Sequence, residues 1–332
     1  MILPVRKLIS ILVLATVMSS ACDKPQAEDN LLPEIPEIPQ EPQEPQEPED
    51  DGLLSILFIG NSFTMDSVTH LPGMIQAAGI NDIHMVHMYY GGRLVSQYYK
   101  GWETSSDYTR YECRPGESRW TSTKGMNLKA IAGSKEWDVV VIQEHTGNKD
   151  AWDWNSAALG NFSGLLQCIR SSQEKEPEFY YILSQAYWDM SKIAKASQPS
   201  MTWTDRIGMW NVLSVFGKNA MATFRFDGLI STGAMLENLR TSSYNNSMGL
   251  TRDGYHMDNG LARYGASCTV FESIITPRYE ITLDKNVYRY DVSDNTSGKI
   301  TTPVTDASAA VALQAARYAM SAPYGITDMS DF

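Results

Sequence analysis

Ser55-Ile56-Leu57-Phe58-Ile59-Gly60-Asn61-Ser62-Phe63-Thr64 decides how the chain is read. Its first half is a short, nearly continuous apolar run, as expected of a strand covered on both faces. Ser62 then falls where a tight turn hands over to a helix, at the carboxyl edge of the sheet. A hydroxyl at such an edge can act as a nucleophile when a base takes its proton and backbone N–H groups face the oxyanion. The competing reading is a serine that caps the helix.

Outward from this stretch, buried strands alternate with amphipathic helices. Val68–Ala78 reads as a helix that Gly79 stops. Strands are expected at about Ile83–Met88, at Val139–Ile142, where Val-Val-Val-Ile is β-branched throughout, at Phe179–Leu183 and at Gly228–Ile230. Helical patterns cover about Ser156–Ser171, Thr204–Thr223, Ala234–Leu239 and Gly260–Ile274. Such alternation implies right-handed parallel crossovers, hence a three-layer α/β/α sandwich on a doubly wound parallel sheet. Its ligands are expected beyond the carboxyl ends of the strands.

Almost two hundred residues after Ser62 comes Leu250-Thr251-Arg252-Asp253-Gly254-Tyr255-His256-Met257-Asp258-Asn259-Gly260. Asp253 and His256, three apart in a loop before a helix, let one loop present an imidazole whose second nitrogen is held by a carboxylate. That arrangement fixes the tautomer and stabilises the imidazolium during proton transfer. Of the five histidines, His256 alone has this setting.

Over about residues 55–275 the chain resembles the SGNH, or GDSL-type, hydrolase superfamily, especially its branch of Bacteroidetes lipoproteins. Gly60-Asn61-Ser62 is similar to the nucleophile block, with Asn61 in place of the usual aspartate, and Asp253-Gly254-Tyr255-His256 to the Asp-x-x-His block. The resemblance implies a flavodoxin-like fold with Ser62 as nucleophile, His256 as general base and then acid, and Asp253 as its orienting partner. Tyr90-Gly91-Gly92-Arg93 looks like the glycine block whose N–H faces the oxyanion, with Gly92 the choice and Gly91 its neighbour; a plain turn is the alternative. The family's Gly-x-Asn-Asp block is missing after the third strand, where the chain reads Ile142-Gln143-Glu144-His145-Thr146-Gly147-Asn148. Either Gln143 or Asn148 replaces its amide, and Gln143 is favoured.

The implied activity is a serine esterase that cleaves a carboxylic ester through an acyl-enzyme, with no metal or organic cofactor. Acetylated carbohydrate is the expected substrate, by analogy alone. The rivals are a lipid-ester or thioester hydrolase, and a non-catalytic glycan-binding lipoprotein on the same fold. His84 and His87, i and i+3 on a strand, face opposite sides, which argues against a shared metal. His70 reads as structural. Asp150, Asp153, Trp152 and Trp154 are candidates for a sugar-binding rim, or else pack on the core. The insertion Trp102–Lys135 is a candidate lid or substrate wall, or an irregular surface loop.

The ends of the chain have their own logic. Arg6 and Lys7 precede an apolar run, Leu8–Met18, too short to span a bilayer, and Ser19-Ser20-Ala21-Cys22 resembles a bacterial lipobox with Ser19 where leucine is usual. Residues 1–22 are expected to be a lipoprotein signal peptide, Cys22 the lipidated residue, and the protein lipid-anchored in the cell envelope of a bacterium, on the periplasmic or surface face of the outer membrane. Ordinary secretion is the alternative. Residues 23–52 form an acidic linker with proline at every third position from Pro33 to Pro48, extended and unable to bury a core. Residues 53–332 are expected to form one domain, or a domain with a small appendage. The formal net charge of −12 resides mostly in the linker: residues 23–51 carry −10 and residues 52–332 only −4. A nearly neutral body lacks the basic footprint of nucleic-acid binding. Cys113, Cys168 and Cys268 permit at most one disulfide, and the last two read as small buried hydrophobes.

Overall fold

The structure is a computed structural model that describes residues 52–146, 156–189, 191, 205–294 and 299–332. Among these residues seven strands form one sheet in the order β4-β3-β2-β1-β5-β6-β7. Their ranges are β1 Leu54–Gly60, β2 Ile83–Tyr89, β3 Tyr108–Cys113, β4 Thr121–Met126, β5 Val139–Gln143, β6 Glu178–Ile182 and β7 Gly228–Ile230. The five strands β2, β1, β5, β6 and β7 are mutually parallel. Both β1 and β5 are fully buried at their centres, Ile56–Ile59 and Val139–Ile142 all being inaccessible to solvent, which is why they read as unbroken apolar runs.

The helices are α1 Ser62–Val68, α2 Leu71–Ala77, α3 Val95–Lys100, α4 Leu128–Ala132, α5 Ser156–Arg170, α6 Arg206–Phe224, α7 Thr232–Leu239, α8 Leu261–Val270, α9 Thr276–Tyr279 and α10 Asp306–Ser321. Helices α1, α7, α8 and α10 pack together, while α3 packs on α5 and α5 meets α6 through Phe162, Phe216 and Phe224. The sheet is flanked by these helices as a three-layer α/β/α sandwich. No helix among the described residues is long and apolar enough to cross a membrane.

Three expectations need correction. The sheet is mixed, because β3 pairs antiparallel with β2 and β4 antiparallel with β3. The insertion Trp102–Lys135 is therefore not an irregular loop over these strands: it extends the sheet at its edge. Strand β4, Thr-Ser-Thr-Lys-Gly-Met, is exposed nearly throughout, so neither an apolar run nor an alternation announces it; Lys124 on this outer strand also discourages further pairing. Finally, the helix placed at Val68–Ala78 runs only from Leu71 to Ala77, and Val68 ends the separate helix α1; Pro72, in the first turn of α2, cannot donate to a carbonyl one turn back.

Strand β1 is where the winding reverses: the chain moves to β2 on one side and returns to β5 on the other. Crevices that take ligands form at such a switch point, beyond the strands' carboxyl ends. Ser62 stands there.

Candidate active site

The turn after β1 is built from polar contacts that leave little freedom. The Gly60 carbonyl accepts from the Tyr98 hydroxyl at 2.6 Å and faces His87 Nε2 at 3.1 Å. A Cβ at Gly60 would lie 2.1 Å from Thr64 Oγ1, so the close approach of helix to strand requires glycine. Asn61 is fully buried and extended, and its Oδ1 accepts from the Phe63 N–H at 3.0 Å. Capping thus falls to Asn61 rather than Ser62. The Asn61 side-chain amide donates to the Arg93 carbonyl at 3.2 Å, which ties this turn to the Tyr90–Arg93 turn after β2. Ser62, as the first residue of α1, has no carbonyl one turn back to take its N–H.

The second loop closes on itself and presents His256. Thr251 and Met257 form an isolated antiparallel bridge, and the Arg252 N–H donates to the His256 carbonyl at 3.0 Å. Gly254 has φ +91°, and a Cβ there would also meet Asp189 Cβ at 2.4 Å. The Gly254 carbonyl accepts from the N–H groups of Trp188 and Asp189, and the Tyr255 carbonyl from the Gln185 amide at 2.9 Å. The segment after β6 therefore braces the loop from outside.

Within it, Asp253 Oδ1 accepts from the His256 N–H at 2.9 Å, and Asp253 Oδ2 lies 2.8 Å from His256 Nδ1. His256 Nε2 lies 2.8 Å from Ser62 Oγ. A carboxylate only accepts, so Nδ1 carries the proton and Nε2 is left to accept from the serine hydroxyl. Burial pushes the Asp253 carboxyl up, but hydrogen bonds from the His256 ring and backbone and the charge of an imidazolium hold it down to about 2. The three residues singled out from the sequence, 194 positions apart at the extremes, thus form one hydrogen-bonded chain at the carboxyl edge.

Aromatic rings enclose that chain. Phe63 sits edge-on to His256 at 5.4 Å and to Tyr187 at 6.1 Å, and Tyr255 lies 4.1 Å from the His256 ring. His145, two residues beyond β5, stacks on Phe63 at 6.2 Å. Burial, and then the neighbouring His256, lower its pKa, so it is held neutral.

Other candidates are placed differently. Gln143 is buried beneath the nucleophile turn. Its Oε1 accepts from the Asn61 N–H at 3.3 Å and from the Thr64 hydroxyl at 3.2 Å, and its Nε2 donates to the Glu144 carbonyl. The Asn61 N–H can only donate, which sets the amide's orientation. Gln143 thus faces the turn with its acceptor, and one of its two amide N–H groups goes to the Glu144 carbonyl. Gly92 is exposed in the turn after β2 with φ +69°, a conformation glycine favours. Asn148, the alternative amide, lies outside the described residues, as do Asp150, Trp152, Asp153, Trp154, Cys22, the signal segment and the linker through Asp51.

His87 meets Gly60 while His84 pairs with Glu112 at 3.0 Å, and His70 lies buried between Tyr288 and the Asn259 carbonyl. Cys113, Cys168 and Cys268 are unpaired with one another; Cys113 and Cys268 are buried and Cys168 partly so. Among the described residues no group of three or more His, Cys, Asp or Glu could hold a metal ion.

Sequence reasoning missed a carboxylate. Asp66, fully buried one turn after Ser62, receives Arg252 Nη1 at 2.9 Å, Arg263 Nη2 at 2.6 Å and the Met257 N–H at 3.0 Å. The available signal was its spacing of four from Ser62 on a helix whose neighbours at 63, 64, 67 and 68 are buried.

A known structure shares this architecture. A DUF4886 family protein from Bacteroides uniformis ATCC 8492 superposes with a TM-score of 0.69 at 21% identity, covering 84% of this chain and 99% of that one, so the two have the same fold. A Bacteroides fragilis NCTC 9343 protein with the provisional name acylhydrolase aligns over 67% of this chain and 85% of its own, at 12% identity and a TM-score of 0.37. No curated protein matches the chain. The family model described as a domain of unknown function, DUF4886, matches residues 55–315, from β1 into α10, and the chain belongs to that family.

Proposed function

We propose that the protein is a serine esterase of the SGNH type, and the observation that carries the reading is the continuous Ser62–His256–Asp253 chain, with both links at 2.8 Å. Ser62 Oγ attacks the ester carbonyl while His256 Nε2 takes its proton, and Asp253 stabilises the resulting imidazolium. The backbone N–H groups of Ser62 and Gly92 are the proposed donors to the oxyanion. Collapse of the tetrahedral intermediate expels the alcohol with the proton from His256. Water, activated by the same imidazole, then releases the acid and restores Ser62.

The substrate class proposed is carbohydrate carrying O-acetyl groups, and the site of action is the bacterial cell envelope, reached by a lipid on Cys22. Support for the sugar rests on fold-level analogy; support for the anchor rests on the sequence before Cys22. The rival, a glycan-binding protein without turnover, draws its support from the departure at the amide block, where Gln143 turns its acceptor toward the nucleophile turn.

The test is hydrolysis of 4-nitrophenyl acetate and then of acetylated xylo-oligosaccharides by wild type, Ser62→Ala, His256→Ala and the double variant. A nucleophile and its base act as a unit, so each single change should cost nearly as much as both together. Wild-type binding of glycans with no Ser62-dependent turnover of any ester refutes the enzyme reading.

A further inference from the structure

We propose that Asp66 is the positioning residue that sets the distance between His256 and Ser62, an inference that rests on the reading of those two residues as base and nucleophile. Ser62 and Asp66 lie one turn apart on α1 and so share a face of that helix. Both touch the loop 251–257, Ser62 through His256 Nε2 and Asp66 through the N–H of Met257, the very next residue. The helix that carries the nucleophile is thereby pinned to the base loop at two points, one reactive and one fixed.

The fixed point is reinforced from three directions. Asp66 Oδ2 takes the Met257 N–H, while Oδ1 takes Arg252 Nη1 at 2.9 Å and Arg263 Nε and Nη2 at 2.9 and 2.6 Å. Arg252 opens the loop; its guanidinium also donates to the Met257 carbonyl, and its N–H to that of His256. Arg263 stands on α8, the helix that follows the loop. Start of loop, end of loop and next helix therefore converge on one carboxylate that the proposed chemistry does not consume.

Burying this carboxylate costs solvation that an apolar contact would not, and two guanidinium groups on one acid leave surplus positive charge. Stability alone gives no reason for such a cluster. What it supplies is directional: charge-assisted hydrogen bonds converging on one carboxylate fix a loop in register more tightly than apolar packing does. Proton transfer from Ser62 depends on that register, since an error of about 1 Å in placing reacting groups can cost on the order of a hundredfold in rate. The two carboxylates divide the work. Asp253 sets the tautomer and tilt of the imidazole within the loop, and Asp66 sets where the loop stands relative to Ser62.

The experiment uses the full chain with Asp66→Asn, which keeps the shape and one acceptor oxygen, and Arg263→Lys, which keeps the charge but loses the paired Nε and Nη2 donation to Oδ1, farther from the site. Three readouts are taken: kcat and KM on 4-nitrophenyl acetate, the rate at which a fluorophosphonate labels Ser62, and the low-field proton resonance of His256 Nδ1–H. Asp66→Asn should lower kcat and the labelling rate at least tenfold with KM within twofold, and should broaden or remove the resonance, in protein that is folded by circular dichroism. Arg263→Lys should move the same quantities in the same direction by two- to fivefold. Kinetics and resonance unchanged in both variants overturn the proposal, as does a rise in KM with kcat intact. If wild type neither turns over esters nor labels, the esterase reading fails by itself. The resonance then still decides the matter: its persistence in Asp66→Asn refutes the positioning role, and its loss supports it.

Discussion

Truncating Gln143 to alanine separates two roles that the same side chain could play. In the structure its Oε1 is the acceptor for the buried Asn61 N–H at 3.3 Å and for the Thr64 hydroxyl at 3.2 Å. Removing an acceptor from a buried donor costs roughly 1–3 kcal/mol. The Thr64 hydroxyl can rotate toward a carbonyl of its own helix, as threonine does in helices, which leaves the Asn61 N–H as the group with no alternative. Both bonds are long, so a loss of about 2 kcal/mol is expected from polar contacts, with a further contribution from the lost packing of a side chain that is 1% exposed. With a urea dependence of about 2 kcal/mol per molar, the unfolding midpoint should fall by about 1 M. Gln143→Met, which keeps volume without hydrogen bonding, should recover the packing share and not the rest. Turnover should fall in both variants because Asn61 caps the helix that holds Ser62. An unchanged urea midpoint together with a hundredfold or greater loss of kcat in Gln143→Ala refutes this account and makes the amide a direct oxyanion donor, as the sequence had indicated.

Two further tests address stability and location. Burial holds His70 and His87 neutral, each lowered to about 3, so below the ordinary histidine value of about 6.5 the unfolded chain binds protons the fold refuses, and stability falls as pH falls from about 6.5 toward 3. Each costs about 2 kcal/mol between pH 7 and 5. Asp258, pushed up to about 6 by burial, works in the opposite sense over the same range and returns about 1 kcal/mol. Urea unfolding should therefore show a net loss of about 3 kcal/mol between pH 7 and 5, halved in its histidine part by His87→Gln; stability flat across this range contradicts the burial argument. Asp253, held near 2, contributes only as pH drops from about 4 to 2 and cannot produce the earlier loss. At the other end of the chain, Cys22→Ala should release folded protein from the membrane fraction; retention after a salt wash removes the lipid-anchor proposal.

Local sequence by itself determined the elements whose signal is carried by neighbouring residues. The apolar runs at 55–59 and 139–142 became the two buried central strands, because a strand covered on both faces has no polar positions to interrupt it. Ser62, Asp253 and His256 were legible because each sits in a short block whose spacing already implies its geometry, a turn in one case and a separation of three within one loop in the other. What the tertiary structure decided is everything that depends on which distant segments meet. The edge hairpin β3–β4 has an exposed outer strand and so no burial pattern to read. Gln143 looked like an oxyanion donor from its place after β5, yet the donor-only Asn61 N–H packed against it turns its oxygen toward the turn and leaves its nitrogen to Glu144. Asp66 carried no sequence signal beyond its helical spacing, because its partners, Arg252, Met257 and Arg263, lie 186 to 197 positions away. A buried charge is defined by what surrounds it, and only folding brings those surroundings together.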